Sequence, residues 1–266
     1  MPRHRIARTT TLTPILTLTL TLTLTLSILA TAGPAWAAPV TLSKLTGLTG
    51  GAPAETAVYK AALGGLGLTD ILSITIRDNS AGLGGATGRF SGFDLDAIRL
   101  STTDCANAAC AAAAPDLGLF DFVGGLLFAP GTQRPPVDLQ LFGTGPGGAT
   151  VDNGVARLGA LDGNSTTAIP GADGFLSMGD DGILSFNLTA AFDPTGVFLY
   201  IGEVGDNGEV AAGSITVSDT PATVPEPAVL LLFGVGLLVL AHRSRRPMAM
   251  PDAQTAGVPP SAARRP

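Results

Sequence analysis

The sequence predicts an all-β protein: an antiparallel β-sandwich of jelly-roll type, flanked by an N-terminal signal peptide and a C-terminal hydrophobic helix. Between residues 38 and 220, apolar and polar residues alternate in short runs, as they do in half-buried strands. Clusters of Gly, Asp and Asn separate these runs and are typical of turns. No repeat of constant period is visible, which disfavours a propeller or a solenoid.

The individual strands follow from the period-two runs. The run 72–77 places Leu and Ile side chains on one face and polar side chains on the other. The stretch 183–217 predicts a three-stranded meander with turns at residues 193–196 and 205–208. Further strands are predicted at residues 56–62, 90–100, 119–128, 137–141 and 156–161.

Charge and histidine content exclude several classes of protein. Residues 38–220 contain seven basic and 19 acidic residues, a formal charge of −12, so we expect no nucleic-acid partner. His4 and His242, the two histidines of the chain, lie outside this range. The predicted domain therefore lacks the imidazole that Ser-His, Cys-His and His-ligated zinc mechanisms require.

The N-terminus has the pattern of a secretory leader. Three arginines within the first eight residues precede an uncharged run at 15–32, and Ala35 and Ala37 then form a small-x-small cleavage site. We expect signal peptidase to cut after Ala37, so that residues 1–37 are removed. The Thr-Leu alternation at 17–26 also fits a strand, and an uncleaved anchor is a further alternative.

The C-terminal region contains a second uncharged segment. Pro225-Glu226-Pro227 precedes the apolar run 228–241, and Arg243, Arg245 and Arg246 follow it. As a helix, this run would span about 21 Å, less than the roughly 30 Å of a hydrocarbon core, so its length alone favours a buried core helix. The arginine cluster and the absence of a polar face favour a membrane segment with its basic flank in the cytoplasm.

This order of PEP tripeptide, short hydrophobic stretch and arginine cluster resembles the PEP-CTERM sorting signal of bacterial exosortase substrates. The resemblance covers residues 224–246 within a predicted segment 221–246. It implies export, transient retention in the inner membrane, processing near the motif by an exosortase, and delivery to the surface or exopolysaccharide matrix of a Gram-negative bacterium. Residues 247–266 extend beyond the usual end of such signals, and we expect a disordered cytoplasmic tail.

Cys105 and Cys110 are the only cysteines of the chain. A closely spaced pair in an exported protein predicts a disulfide. A zinc site would need more Cys or His ligands than the domain has. Closing so short a loop adds only about 2 kcal/mol in the chain-entropy model, so we expect the bond to fasten a surface loop.

Asp94 and Asp96 lie two residues apart in a predicted strand and should share one face. We interpret that face as the solvent side of a half-buried strand; a calcium site and a glycosidase carboxylate pair are the alternatives. Residues 162–173 begin like a calcium loop but lack its turn glycine and final glutamate, which excludes an EF-hand. Residues 152–154, 180–182 and 206–208 are predicted to form hairpin turns, and calcium ligation is the second interpretation of these segments.

The sequence therefore predicts a non-enzymatic, exosortase-sorted component of the cell surface or extracellular matrix, without a cofactor. The alternative is a calcium- or glycan-binding module on the same β-sandwich. An exopolysaccharide-modifying enzyme ranks third, because Glu55, Glu203 and Glu209 form no recognisable acid/base pair in the sequence. The domain between residues 38 and 220 also has no Trp to stack on a sugar ring.

Overall fold

The structure, a computed structural model, describes residues 36–51, 54–79, 84–163, 174–209, 215–223 and 236–237. The chain divides into two units, Met1–Thr223 and Val224–Pro266. The strands of the described residues all lie in the first unit. In the second unit, the described residues 236–237 are helical.

In the first unit, the described residues form ten β-strands, two short α-helices and one turn of 3₁₀-helix at Gly88–Phe90. The helices are α1 at Ala108–Ala113 and α2 at Asn153–Ala156. The strands are β1 Ala37–Val40, β2 Ser43–Thr49, β3 Thr56–Ala62, β4 Ile71–Arg77, β5 Asp94–Ser101, β6 Leu126–Ala129, β7 Leu176–Ser177, β8 Ile183–Phe192, β9 Phe198–Val204 and β10 Ile215–Ser218.

These strands form two five-stranded antiparallel sheets. One sheet has the strand order β1-β10-β4-β8-β6, and the other has the order β2-β3-β9-β5-β7. Ile74 and Ile215 of the first sheet share one buried apolar cluster with Leu95 and Leu199 of the second. Apolar side chains from both inner faces are thus removed from water together, which is the main stabilising contribution in a sandwich. The all-β class predicted from the sequence is confirmed, and the two sheets agree with a sandwich.

A second apolar cluster covers the outer face of the sheet that contains β9. Val58, Ala97 and Tyr200 point to this face and pack with alanines of α1. Asn107 caps α1 by accepting a hydrogen bond from the backbone N of Cys110 at 2.8 Å. Outward-facing side chains of β5 and β9 are therefore buried too, so period-two alternation does not separate buried from exposed residues on these strands.

The sandwich has two ends that differ in character. β1 begins where β10 ends, since Ala37 pairs with Ser218 in the antiparallel register. We call this end, where β8 also finishes, the exit pole. The opposite end, which we call the loop pole, is formed by connections that include residues 78–79, 84–93, 130–141, 178–182 and 205–209.

One of the predicted strands, residues 137–141, is an irregular loop at the loop pole. Val137 is 68% exposed and Leu139 is completely exposed. The Gln133 side chain binds the backbone of Asp138 in both directions, with Nε2 donating to the carbonyl at 3.3 Å and Oε1 accepting from the amide at 2.8 Å. The backbone N–H and C=O groups of Asp138 are thus hydrogen-bonded without a neighbouring strand. The strand predicted from the alternation of apolar residues at 137–141 is wrong.

The prediction for residues 152–161 is also wrong. Asp152 does not begin a hairpin turn: its Oδ1 accepts from the backbone N of Gly154 at 3.0 Å and caps α2. The segment 156–161 continues from α2 as turn and irregular structure. By contrast, β3 coincides with the predicted strand 56–62, while β5 and β6 occupy parts of the strands predicted at 90–100 and 119–128.

The three strands predicted within residues 183–217 exist, but they are not a meander. β8 and β10 lie on either side of β4 in one sheet, and β9 lies in the other sheet. The turn at Asp206 and Gly208, with φ of 47° and 93°, therefore leads away from β9 toward the opposite sheet. The same Gly and Asn chemistry serves a hairpin and a crossing between sheets, so the local sequence does not distinguish them.

No helix within the described ranges has both the length and the apolar character needed to cross a membrane. The predicted membrane segment 228–241 lies outside the described residues, apart from residues 236–237.

Candidate functional site

Arg134 holds the connections at the loop pole together. Its Nη2 lies 2.7 Å from Oδ1 of Asp180, and its Nε lies 2.9 Å from the same oxygen. The guanidinium also donates to the carbonyl oxygens of Gly84 and Ala86. The side chains of the ion pair are only 13% and 17% exposed, so this bidentate contact is little screened by water.

Asp94 lies behind these connections, at the start of β5. Its Oδ1 accepts a hydrogen bond from Ser177 Oγ at 2.6 Å, and its backbone N donates to Glu209 Oε2 at 3.2 Å. Burial raises the pKa of Asp94 well above the usual value, and the negative charge of Glu209 adds to this rise. The hydrogen bond from Ser177 opposes it.

Asp96 is completely buried on the same strand. Its Oδ2 accepts from Thr56 Oγ1 at 2.5 Å and from the backbone N of Gly163 at 3.2 Å. Its Oδ1 has no hydrogen-bond partner within the described residues. Burial raises the pKa of Asp96 to about 7, although the hydrogen bonds from Thr56 and Gly163 favour the charged form.

The predicted solvent exposure of Asp94 and Asp96 is therefore wrong. The pairing of β5 with β9 is irregular between Leu95 and Ile98, and Leu161 packs over the outer face of this sheet. The two aspartates bind different partners. In the described part of the chain, no group of three or more His, Cys, Asp or Glu side chains could hold a metal ion. Calcium binding at Asp94 and Asp96 stays a prediction.

Two glutamates that the sequence left without a role are buried near Asp94. Glu203 of β9 pairs in register with Leu95, is completely buried, and has no hydrogen-bond partner for either carboxylate oxygen within the described residues. Glu209 follows β9, and its Oε1 is likewise buried without a partner there. Gly85 leaves the room that Glu209 needs, because a Cβ at this position would overlap Oε1.

Burial also controls the ionisation of these glutamates. Burial raises the pKa of Glu203 to about 8. The backbone amide of Asn207 lies near the carboxylate and opposes part of this rise, but it forms no hydrogen bond of normal geometry with it. Burial raises the pKa of Glu209 to about 8, the charge of Glu203 adds to the rise, and Arg134 opposes it. We call the four residues the buried acid cluster: Asp94, Asp96, Glu203 and Glu209.

The sequence did contain a signal for Glu203. Its position continues the alternation of Leu199 and Ile201, whose side chains are both completely buried. An acidic residue in phase with a buried apolar face is unusual and indicates a special environment. Nothing comparable marks Glu209, which depends on the loop that brings it next to Gly85.

The buried acid cluster can bind protons near neutral pH. A general acid must also reach its substrate, whereas these carboxyl groups are at most 4% exposed. They line neither the cavity beside Phe122 and Arg157 nor the cavity beside Arg89. In this conformation their protonation therefore affects the stability of the sandwich rather than a bound substrate.

Cys105 and Cys110 are joined by a disulfide in the structure, with their Cα atoms 5.5 Å apart. Cys105 is buried in the outer apolar cluster, and its backbone N donates to the Tyr200 hydroxyl at 2.9 Å. The hydroxyl in turn donates to the carbonyl oxygen of Thr103 at 2.6 Å. The disulfide thus fastens α1 to the outer face of the sheet, whereas the sequence predicted that it would fasten a surface loop.

The predicted signal cleavage site lies within the first strand, after its first residue. Ala37 is the first residue of β1, while Ala35 lies outside the described residues. The backbone of Trp36 donates to Asp219 Oδ1 at 3.0 Å and accepts from the Asp219 amide at 3.2 Å. A cut after Ala37 would remove these contacts and leave three residues of β1 paired with β10.

The chain leaves the sandwich along a fixed path at the exit pole. Asn187 accepts from the backbone N of Ala222 at 2.7 Å and donates to its carbonyl oxygen at 3.1 Å. Ser73 Oγ donates to the carbonyl oxygen of Thr220 at 2.7 Å. These contacts hold the chain as far as Ala222, inside the predicted sorting segment 221–246 and shortly before its PEP tripeptide.

The residues predicted to form the sorting signal lie outside the described residues: Pro225, Glu226, Pro227, Arg243, Arg245 and Arg246. Comparison with curated proteins and with solved structures finds no match. Comparison with protein-family models matches residues 223–246 to the PEP-CTERM protein-sorting motif. The chain therefore carries a PEP-CTERM protein-sorting motif directly after its β-sandwich.

Proposed function

We propose that this chain is an exported, non-catalytic component of the cell surface or extracellular matrix of a Gram-negative bacterium, sorted by an exosortase and associated with exopolysaccharide. The match of residues 223–246 to the PEP-CTERM protein-sorting motif carries the proposal. Signal peptidase and the exosortase act as processing enzymes, and the chain passes through the inner membrane as a single-pass intermediate.

The path of the chain through the sandwich supports this proposal. β1 and the segment that ends at Thr223 both lie at the exit pole, because β1 is antiparallel to β10. A sorting signal at this end leaves the connections of the loop pole free of covalent attachment. Loops on a rigid β-scaffold are a common location for binding residues.

We further infer that the sandwich is of the jelly-roll type. Without the edge strands β2 and β6, each sheet has four strands, in the orders β1-β10-β4-β8 and β3-β9-β5-β7. Consecutive strands of this set change sheet, except for β5 and β7, which pair with each other. Two four-stranded sheets connected in this way are typical of a jelly roll.

Replacement of Pro225-Glu226-Pro227 by three alanines tests the sorting. We expect the wild-type protein in the surface or extracellular fraction and the variant in the inner membrane. The matched control replaces Val258-Pro259-Pro260, which lies beyond the matched motif, and should reach the surface normally. Unchanged surface delivery of the first variant would contradict the proposal.

The absence of catalysis needs a separate measurement. The purified exported protein should release no reducing ends or unsaturated sugars from the exopolysaccharide of the producing bacterium, nor from a panel of plant and bacterial polysaccharides. Turnover that disappears in Glu203→Gln, while folding is retained, would instead support the enzymatic alternative.

A further inference from the structure

The loop pole contains a cavity of about 300 Å³ that is separate from the buried acid cluster. Its lining residues are Arg89, Asp138, Leu139 and Gln140. They come from two connections, the 3₁₀ turn before β5 and the loop after β6. The volume lies at the lower limit for small-ligand pockets.

Aromatic rings hold the Arg89 side chain in place. Its guanidinium carbon lies 5.5 Å from the ring centre of Phe90 and 5.2 Å from that of Phe142. Phe142 packs in turn against Phe175, which is almost completely buried, at 4.6 Å between ring centres. Cation–π contacts of this kind orient a guanidinium without using its hydrogen bonds.

The N–H groups of this guanidinium are available to a ligand. Within the described residues, the Arg89 side chain makes no hydrogen bond or ion pair, and its guanidinium lies over the two rings. This contrasts with Arg134 at the same pole, whose guanidinium is bound to Asp180. The guanidinium N–H groups of Arg89 are therefore free to donate hydrogen bonds at this cavity, in a domain that has few basic residues.

Two acceptors lie next to these donors. Asp138 uses Oδ2 to accept from the backbone N of Arg89 at 2.8 Å, and its Oδ1 has no partner in the part of the chain that the structure describes. Gln140 donates through Nε2 to the carbonyl oxygen of Thr144 at 2.9 Å, which leaves its Oε1 free among the same residues. Both side chains are thus held by one atom and offer the other to a ligand.

The loop that carries these acceptors is already ordered. The Gln133 side chain binds the backbone of Asp138 in both directions, and Arg89 accepts through its carbonyl oxygen from the backbone N of Phe142 at 2.8 Å. A ligand would therefore not have to order the loop on binding, which reduces the entropic cost. Leu139 is completely exposed and supplies an apolar wall.

We propose that this cavity binds one residue of a saccharide through the hydroxyl groups of its pyranose ring. Hydroxyls both donate and accept, which matches free donors on Arg89 and free acceptors on Asp138 and Gln140. A simple anion such as phosphate would meet the Asp138 carboxylate and be repelled. The apolar C–H groups of the ring would pack on Leu139, since Arg89 already covers the faces of the phenylalanine rings.

The proposal rests on the proposed function, because a matrix protein is surrounded by polysaccharide. It adds a ligand class and a site at the loop pole, opposite the exit pole. Sorting and binding can fail independently. Loss of binding in a loop-pole variant should leave surface delivery unchanged, whereas the Pro225-Glu226-Pro227 replacement should leave saccharide binding unchanged.

The test is a calorimetric titration of the full chain in a zwitterionic detergent that contains no sugar. The probes are a neutral β-1,4-linked glucose hexasaccharide and a galacturonate hexasaccharide. At least one should bind at a single site, and Arg89→Gln should weaken it at least about tenfold, as expected for hydrogen bonds from a charged group. Equal binding, or a preference for the glucose hexasaccharide, would place hydroxyls against Arg89, whereas a clear preference for galacturonate would place a sugar carboxylate there and contradict recognition through hydroxyls.

Two further variants keep the test decisive. Arg77→Gln removes an equal charge from the exposed end of β4 at the same pole and should bind normally. Leu139→Ser changes a fully exposed side chain, so it should weaken binding without a change in melting temperature. The proposal is wrong if neither saccharide binds, if Arg77→Gln loses as much affinity as Arg89→Gln, or if both cavity variants bind like the wild type.

Discussion

Replacement of Glu203 by Gln should stabilise the protein at alkaline pH and have little effect at pH 5. The glutamine keeps the shape of the side chain but cannot ionise. Because burial raises the pKa of Glu203 to about 8, the folded state holds the proton more tightly than the unfolded chain does. The stability that this protonation provides is fully present below pH 4.5, the ordinary value, and is lost as the pH rises toward and through 8.

The size of the effect follows from the difference between the two pKa values. A rise from 4.5 to about 8 corresponds to a loss of about 4 kcal/mol between pH 5 and pH 9. This is an upper limit, since opening of the turn at residues 205–209 would let water reach an ionised carboxylate. For a domain of this size, 4 kcal/mol corresponds to roughly 10 °C in melting temperature.

The assay is thermal unfolding of the full chain in detergent, followed by circular dichroism at pH 5, 7 and 9. The wild type should lose stability steadily across this range, and Glu203→Gln should lose distinctly less. Glu55→Gln is the matched control, because it makes the same substitution at an exposed side chain, and it should lose as much stability as the wild type. A Glu203→Gln variant that loses as much stability as the wild type would refute the reasoning.

Three other measurements test separate parts of the structure. Arg134→Gln leaves Asp180 without its partner and should lower the free energy of unfolding in urea by roughly 3 kcal/mol; a change below about 0.5 kcal/mol would show that the ion pair does not hold the loop pole. Substitution of Cys105 and Cys110 by Ser should cost about 2 kcal/mol, and a reductant should then have no further effect. Calcium and magnesium should raise the melting temperature alike, by screening carboxylates, in the wild type and in Asp94→Asn. A saturable gain that only calcium produces, and that Asp94→Asn loses, would support the calcium-binding alternative.

The sequence was most informative where one strand face is buried against the other sheet. Ile74 and Ile76 alternate with polar residues, and both are completely buried in the sandwich. The same reasoning fails on β5, since Leu161 of the outer apolar cluster packs over the second face near Asp96, and the connections of the loop pole cover Asp94. Burial on both faces arises from the long connections between strands, and their folding cannot be read from the period of a single strand.

The local sequence pattern also could not predict which strands pair with each other. β8 and β9 are separated by the turn at residues 193–196, which predicts a hairpin, yet they belong to different sheets. Residues 137–141 alternate in polarity like a strand but form an irregular loop, in which Leu139 and Gln140 line a cavity. Arg89 and Gln140 are about fifty residues apart in the chain, so only the folded structure brings them to one cavity.

The most direct test of the central claim is the intact mass of the protein recovered from the surface or medium of the producing bacterium. Processing at both ends predicts a chain that begins at Ala38 and lacks the arginine cluster at residues 243–246. In a strain without its exosortase, the surface form should disappear, and a species that retains the arginines should accumulate in the inner membrane. A full-length chain that keeps residues 1–37 and the arginine cluster, with the same distribution in both strains, would contradict the claim.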